Sequence, residues 1–257
     1  MVSSQLSIPL QRGLVFFEEL SYLEYKNICK MLLSNELGDI NNCFETITQR
    51  ISSSYDLNII DKFEALIYIR NSILGNNITL THDDRDVNFS LKEQCIGIFR
   101  EDAFEYGGCK FRTPKCFLNK DITATVADYL YEVNGNDLDE FSIHDKTLIL
   151  NETDIHIIKV AGIINEIKDK SDVAILDNRA EINVYNVSIL YFLREIFNSD
   201  LMEMYEFEYN ISRRLNLKGR DLLHYTLPEL KISLNFYTKE QTEKAEAENS
   251  GSPDRGE

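Results

Sequence analysis

Positive charge is what this sequence has least of: 27 lysines and arginines stand against 43 aspartates and glutamates in 257 residues, a formal charge of -16. Such a surface repels a phosphate backbone, whose neutralisation by Lys and Arg supplies most non-specific nucleic-acid affinity, so nucleic acid is excluded as the main partner. No window of about 20 apolar residues occurs, so no membrane span is expected. Met1 to Leu20 carries Arg12 as its one basic residue and lacks the apolar core of a signal peptide, and the expectation is a protein that stays where it is made. Glycine is scarce, at 11 residues, and no Gly-rich phosphate loop, dinucleotide fingerprint or paired-Cys redox motif is found. The expectation is therefore no enzymatic activity and no cofactor. Cysteine is sparse as well. Cys29, Cys43, Cys95, Cys109 and Cys116 are odd in number, which favours free thiols over a disulfide framework.

What is present suits a folded chain. Hydrophobic residues make up 43% and charged residues 27%, far from the signature of disorder, and the length allows one large or two small domains. Leu14-Val-Phe-Phe17 reads as a strand. Ser21-Tyr-Leu-Glu24 has capping-box spacing, in which a hydroxyl and a carboxylate satisfy each other's orphan amides, and the apolar stripe of Tyr22, Tyr25, Ile28, Cys29 and Leu32 predicts a helix ending near Ser34. A weaker helix is predicted over Asn42 to Ile51, and a stronger one from Asp61 to Leu74 with Gly75 as its C-terminal cap. Alternation predicts strands within 79–95 and 109–118. Beyond them the helical period returns over Thr125 to Val133, Asp154 to Ile167, Val184 to Phe197, Met202 to Leu215 and Pro228 to Tyr237. The segment Val184 to Phe197, apolar on most sides, is expected at the centre of a second core. Thr226-Leu-Pro-Glu229 opens the last helix as a second capping box.

The fold class read from this order is mainly α with a small β element, an α+β arrangement with short strands near 14–17, 79–95 and 109–118. Its expected regions are an N-terminal strand–helix part (1–78), a β-rich insert (79–120), a C-terminal helical part (121–238) and a disordered, solvated tail (239–257).

Four clusters could carry chemistry. Cys109 and Cys116 are separated by six residues without a nearby Cys or His pair, which is not zinc spacing. His82-Asp-Asp-Arg-Asp86 offers a ligand and three carboxylates, and a metal-dependent hydrolase using His82, Asp83, Asp84 and Asp86 is the remote alternative to a polar loop. Asn134-Gly-Asn-Asp-Leu-Asp-Glu140 lacks the alternating oxygen ligands of an EF-hand and reads as a turn. Ser142, His144 and Asp145 are triad residue types without a nucleophile elbow and read as a surface loop. No catalytic, cofactor or metal residue is assigned.

Phe16-Phe-Glu-Glu-Leu-Ser-Tyr-Leu-Glu-Tyr-Lys26 joins a short strand to a "Glu-x-Lys" helix, and the helix from Asp61 ends in the Arg-x-Ser-x-x-Gly pattern of Arg70, Ser72 and Gly75. In these blocks, and more loosely in Tyr205-Glu-Phe-Glu-Tyr209 and Thr226-Leu-Pro-Glu229, the chain resembles the baseplate hub assembly proteins of T-even-type contractile phages. The similarity covers roughly the first hundred residues. Some of those relatives carry a cysteine pair where this chain has Thr81-His-Asp-Asp-Arg-Asp86, so no metal is carried over. The resemblance implies a non-catalytic assembly factor in the host cytoplasm whose partners are other baseplate hub proteins, or else a hub subunit retained in the virion.

Overall fold

Leu6, Ile8 and Leu10 alternate with Gln5, Ser7 and Pro9, and this period of two builds β1 (Gln5–Leu10), antiparallel to β2 (Gly13–Glu18) across a turn at Gln11 and Arg12. Ile8, Leu10, Val15 and Phe17 are buried, while Leu14 and Phe16 face outward. The computed structural model describes residues 5–82, 85–90, 103–119, 121–170, 174–176 and 180–250. Next come α1 (Tyr22–Met31), α2 (Leu37–Thr48), β3 (Ile51–Ser52), α3 (Ile59–Leu74) and the hairpin of β4 (Asn77–His82) with β5 (Arg85–Ser90). The middle of the chain forms β6 (Phe104–Tyr106), β7 (Cys109–Phe111), α4 (Ile122–Tyr129), β8 (Leu130–Val133), β9 (Asn136–Asp137), α5 (Ile143–Asn151) and α6 (Ile157–Lys170). A small hairpin, β10 (Ala174–Leu176) with β11 (Ala180–Ile182), precedes α7 (Ser188–Phe197), α8 (Leu201–Leu215), a 3-10 turn at Asp221–Leu223 and α9 (Leu227–Ser250). Every strand pair among the described residues is antiparallel, and the architecture is the mainly-α α+β fold read from the sequence.

The chain divides into two compact units, Met1–Glu18 with Met31–Phe197, and Glu19–Lys30 with Asn198–Glu257. In the first unit α3 packs on β1 and α2, and α7 packs on α2 and α3. Phe44 meets Phe197 edge-on with ring centroids 5.4 Å apart. The helix expected at the heart of a core within 121–238 thus joins the helices of the first 78 residues instead. Periodicity announces that a helix is buried and leaves its neighbour open. The first unit's other core gathers Phe111, Val126, Ala127, Leu130, Leu150, Val160 and Ile164 from β7, α4, β8, α5 and α6. Burying each large aliphatic or aromatic side chain there contributes roughly 1.5–3 kcal/mol before entropy is counted.

Element bounds differ from the sequence expectation at several places, α6 (Ile157–Lys170) and α7 (Ser188–Phe197) starting later than read and α3 (Ile59–Leu74) earlier, and three further differences have a clear physical reason. The helix read over Thr125 to Val133 stops at Tyr129, because Leu130 to Val133 find ladder partners in β7, with Phe111 opposite Leu130 and Cys109 opposite Val133. The second helix spans Leu37–Thr48 rather than Asn42 to Ile51, and Ile51 pairs with Phe17 instead. The tail expected to be disordered from 239 is helical through Ser250, although 239–246 are exposed as a solvated segment should be. Lys239–Glu243 and Lys244–Glu240 pairs at i,i+4 support that extension.

The second unit joins α1 to the C-terminal helices, whereas the sequence reading grouped α1 with the rest of 1–78. Tyr22 donates its backbone N–H to the Tyr225 carbonyl at 2.7 Å and its hydroxyl to the Met204 carbonyl at 2.6 Å. Lys26, 5% exposed, pairs with Glu208 and lies 3.6 Å from the Tyr205 ring centroid. Burial, with Glu208 nearby, drives the Tyr22 phenol far above its ordinary range.

Candidate functional site

The loops of the first unit enclose a polar cleft of about 610 Å³. Arg12 reaches it from the β1–β2 turn, Tyr55 and Asp56 from the connection after β3, Arg112 and Lys115 from the segment after β7, and Asp139 from the turn after β9. Local chemistry sets these positions. Arg112 N–H bonds the Tyr129 carbonyl at 2.8 Å and Ile59 N–H bonds the Pro114 carbonyl at 2.9 Å, which fixes the 112–115 backbone against α3 and α4. Asp128, 3% exposed, then accepts from Lys115 N–H at 2.9 Å, Cys116 N–H at 2.8 Å and Asn119 Nδ2 at 3.2 Å. Burial raises the Asp128 pKa, and those three donors act against the rise.

Each cation of the cleft is held within the fold. Arg12 pairs with Asp61 at 2.8 Å, where Asp61 is 1% exposed, and its guanidinium lies 4.8 Å from the Tyr55 ring centroid. Arg112 pairs with Asp139 and sits 4.5 Å from the Tyr131 ring centroid. Lys115 donates to Asp56 and to the Asp139 carbonyl. The Ser53 hydroxyl accepts from Tyr55 N–H at 3.1 Å, and among the described residues no imidazole lines the cleft. The cleft offers charged and hydrogen-bonding side chains, and among the described residues none of them forms a nucleophile–base pair.

Of the clusters named from sequence, Asn134 to Glu140 borders the cleft through Asp137, Asp139 and Glu140, and the others fall elsewhere or take structural roles. Cys109 lies in β7, buried in the core, while Cys116 lies in the following loop and burial pushes its thiol up to about 12. Cys29, Cys43, Cys109 and Cys116 are in the thiol form rather than in disulfides, and Cys95 lies outside the described residues. His82 ends β4 opposite Arg85, with Asp83 and Asp84 outside the described residues, as are the side-chain surroundings of Asp86. Among the described residues, no three His, Cys, Asp or Glu side chains gather as a metal would require.

Asn134 and Gly135 form the turn between β8 and β9, with φ of 50° and 85°, the left-handed conformations an Asn-Gly hairpin turn demands. Ser142 and Asp145, read as part of a surface loop, cap a helix: Ser142 Oγ accepts Asp145 N–H at 3.2 Å at the start of α5. The spacing that brought triad types together is capping spacing.

The residues behind the phage-protein resemblance are also structural. Glu24 closes the box at α1, accepting Ser21 N–H at 2.8 Å. Arg70, 5% exposed, donates to the carbonyls of Ile196 at 2.9 Å and Asn77 at 3.0 Å and to that of Gly75. Ser72 Oγ donates to the Ile69 carbonyl at 2.7 Å, and Gly75 ends α3 with φ of 82°. Sequence reasoning missed the cleft residues Arg12, Asp56, Arg112 and Lys115 and read Asp139 only as part of a turn, because they come from separate loops with no shared spacing.

Among the described residues no helix is long and apolar enough to cross a membrane. No protein-family model, no curated protein and no solved structure matches this chain.

Proposed function

We propose that this chain is a non-catalytic assembly factor for the baseplate hub of a contractile-tailed phage, working in the host cytoplasm by binding other hub proteins. The observation that carries this reading is the apolar surface of the second unit. On α8, Met202, Tyr205 and Tyr209 follow i, i+3, i+7 spacing and are 67%, 47% and 64% exposed, and on α9 Ile232 and Phe236 are 55% and 69% exposed. Helix stripes of this kind suit a partner's apolar surface. Glu203 and Glu206 flank the α8 stripe, and acidic rims favour encounter with a basic partner. The partner class rests on the resemblance of Phe16 to Lys26 and Asp61 to Gly75. Since Glu24, Lys26 and Arg70 are engaged inside the fold, the contact is assigned to other surfaces.

The test deletes the gene in its phage, counts baseplates by electron microscopy, and complements with wild type or with a Met202→Ser, Tyr209→Ser, Phe236→Ser variant. Baseplates are expected to be lost, restored by wild type and not by the variant, whose helicity is checked by circular dichroism. Normal baseplates without the protein would sink the assembly role. The protein content of purified particles separates an assembly factor, which departs, from a hub subunit retained in the virion.

A further inference from the structure

Behind the 113–119 segment, α4 and α6 border a second cavity, of about 80 Å³, where one water needs about 10–15 Å³ by the same measure. Ile59, Pro114, Phe117 and Leu118 give it apolar walls. Two polar groups on this cavity have unmet capacity. Tyr129 is 2% exposed, and its hydroxyl has no hydrogen-bond partner among the described residues. Lys168, half-buried, has its ammonium 5.9 Å from the Tyr129 ring centroid and makes no ion pair among the described residues. The nearby anion, Asp128, acts on Lys168 through its charge without forming an ion pair with it, and its oxygens accept from Lys115 N–H, Cys116 N–H and Asn119 Nδ2. Tyr185 and Thr113 share a hydrogen bond at 3.3 Å, and Thr125 Oγ1 donates to the Asp121 carbonyl at 2.8 Å, so these hydroxyls have partners.

A buried hydroxyl left without a partner is destabilising, and a desolvated ammonium without an ion-pair partner is disfavoured as well. We infer that this cavity binds a small organic monocarboxylate, with Lys168 as counter-ion, the Tyr129 hydroxyl as hydrogen-bond donor and Ile59, Pro114, Phe117 and Leu118 against the alkyl part. Burial lowers the Lys168 pKa, and a bound carboxylate would return it toward its ordinary value. The volume limits the ligand to a few carbon atoms.

The test titrates the full-length protein with carbon-13-labelled propionate, followed by NMR, beside propionamide and inorganic phosphate. Saturable binding near millimolar propionate is expected, with both comparison compounds at least tenfold weaker. Lys168→Met should abolish saturation. Tyr129→Phe should weaken propionate about tenfold while leaving the melting temperature unchanged or higher, since it deletes an unpartnered hydroxyl and nothing else. No saturable propionate binding, propionamide or phosphate binding as tight as propionate, or wild-type affinity in Tyr129→Phe would each overturn the inference. Tyr129→Phe keeps the question decidable should Lys168→Met fail to fold.

Discussion

Helices α3 and α9 both begin at a capping box, yet they are stabilised in opposite ways. At α3, Asn58 N–H reaches Asp61 Oδ2 at 3.1 Å and Asp61 N–H reaches Asn58 Oδ1 at 3.0 Å, with both side chains buried. At α9 the equivalent bonds join Thr226 N–H to Glu229 Oε2 at 2.7 Å and Glu229 N–H to Thr226 Oγ1 at 3.4 Å, in solvent. Eleven of the sixteen α3 residues are buried, whereas over 227–246 of α9 the buried apolar residues are Leu227 and Leu230, near its start. Tertiary burial holds α3, while capping and i,i+4 pairs along its exposed length hold much of α9. The same local motif therefore carries different energetic weight according to what surrounds it.

The largest test of this contrast is Arg70→Ala. It removes a buried guanidinium from the Ile196, Gly75 and Asn77 carbonyls, and a loss of about 3–5 kcal/mol is expected in urea titrations, the upper range for breaking a buried network. A loss below about 1 kcal/mol would mean that the α3 terminus is held by apolar packing alone.

A second buried cation extends the contrast to pH. Lys146, 2% exposed, donates to the Leu130 carbonyl, and burial lowers its pKa from 10.5 to about 8. Below pH 8 the folded protein holds the ammonium at a cost. Between about 8 and 10.5 the folded amine loses its proton while the unfolded one keeps it, so this group's contribution to stability rises with pH. The stability of Lys146→Met relative to wild type should therefore fall by about 2–3 kcal/mol across that window, measured by denaturation at several pH values. A flat difference would show that the amine titrates normally.

The two capping boxes then compare directly. Asp61→Ala also strips the partner from Arg12 and should cost about 2–3 kcal/mol, whereas Glu229→Ala should cost about 0.5–1 kcal/mol. Equal losses in paired urea titrations would remove the distinction between the helices. Smallest of all, ending the chain after Tyr237 should shift stability by less than about 0.5 kcal/mol, because the exposed turns of α9 bury almost nothing. A drop of more than a few degrees in melting temperature would show that those turns are docked.

Legibility followed the range of each interaction. The boxes at Ser21–Glu24 and Thr226–Glu229 were readable because their bonds close within three residues. Helix α5 was not read, since its apolar residues make no clean stripe: Leu150 is buried while Leu148 is 50% exposed. Strand β1 was missed as well, although Ile8 and Leu10 have the right alternation, because Pro9 interrupts a six-residue run whose exposed face tolerates it. Neither the cleft nor the small cavity had a sequence signal. Arg12, Asp56, Arg112 and Asp139 are far apart in the chain, and Lys168 meets Tyr129 only because α4 packs on α6.

By itself the sequence determined the α+β class, the capped starts of α1 and α9, the Gly75 stop and the exposure of residues 238–246. Tertiary structure alone decided that α1 joins α8 and α9, that α7 joins α2 and α3, and that Leu130 to Val133 leave the helical pattern for a strand beside β7. Caps and turns satisfy backbone groups within a few residues, so local spacing encodes them. Which apolar faces meet depends on the shape of distant partners, and a hydrophobic period carries no address.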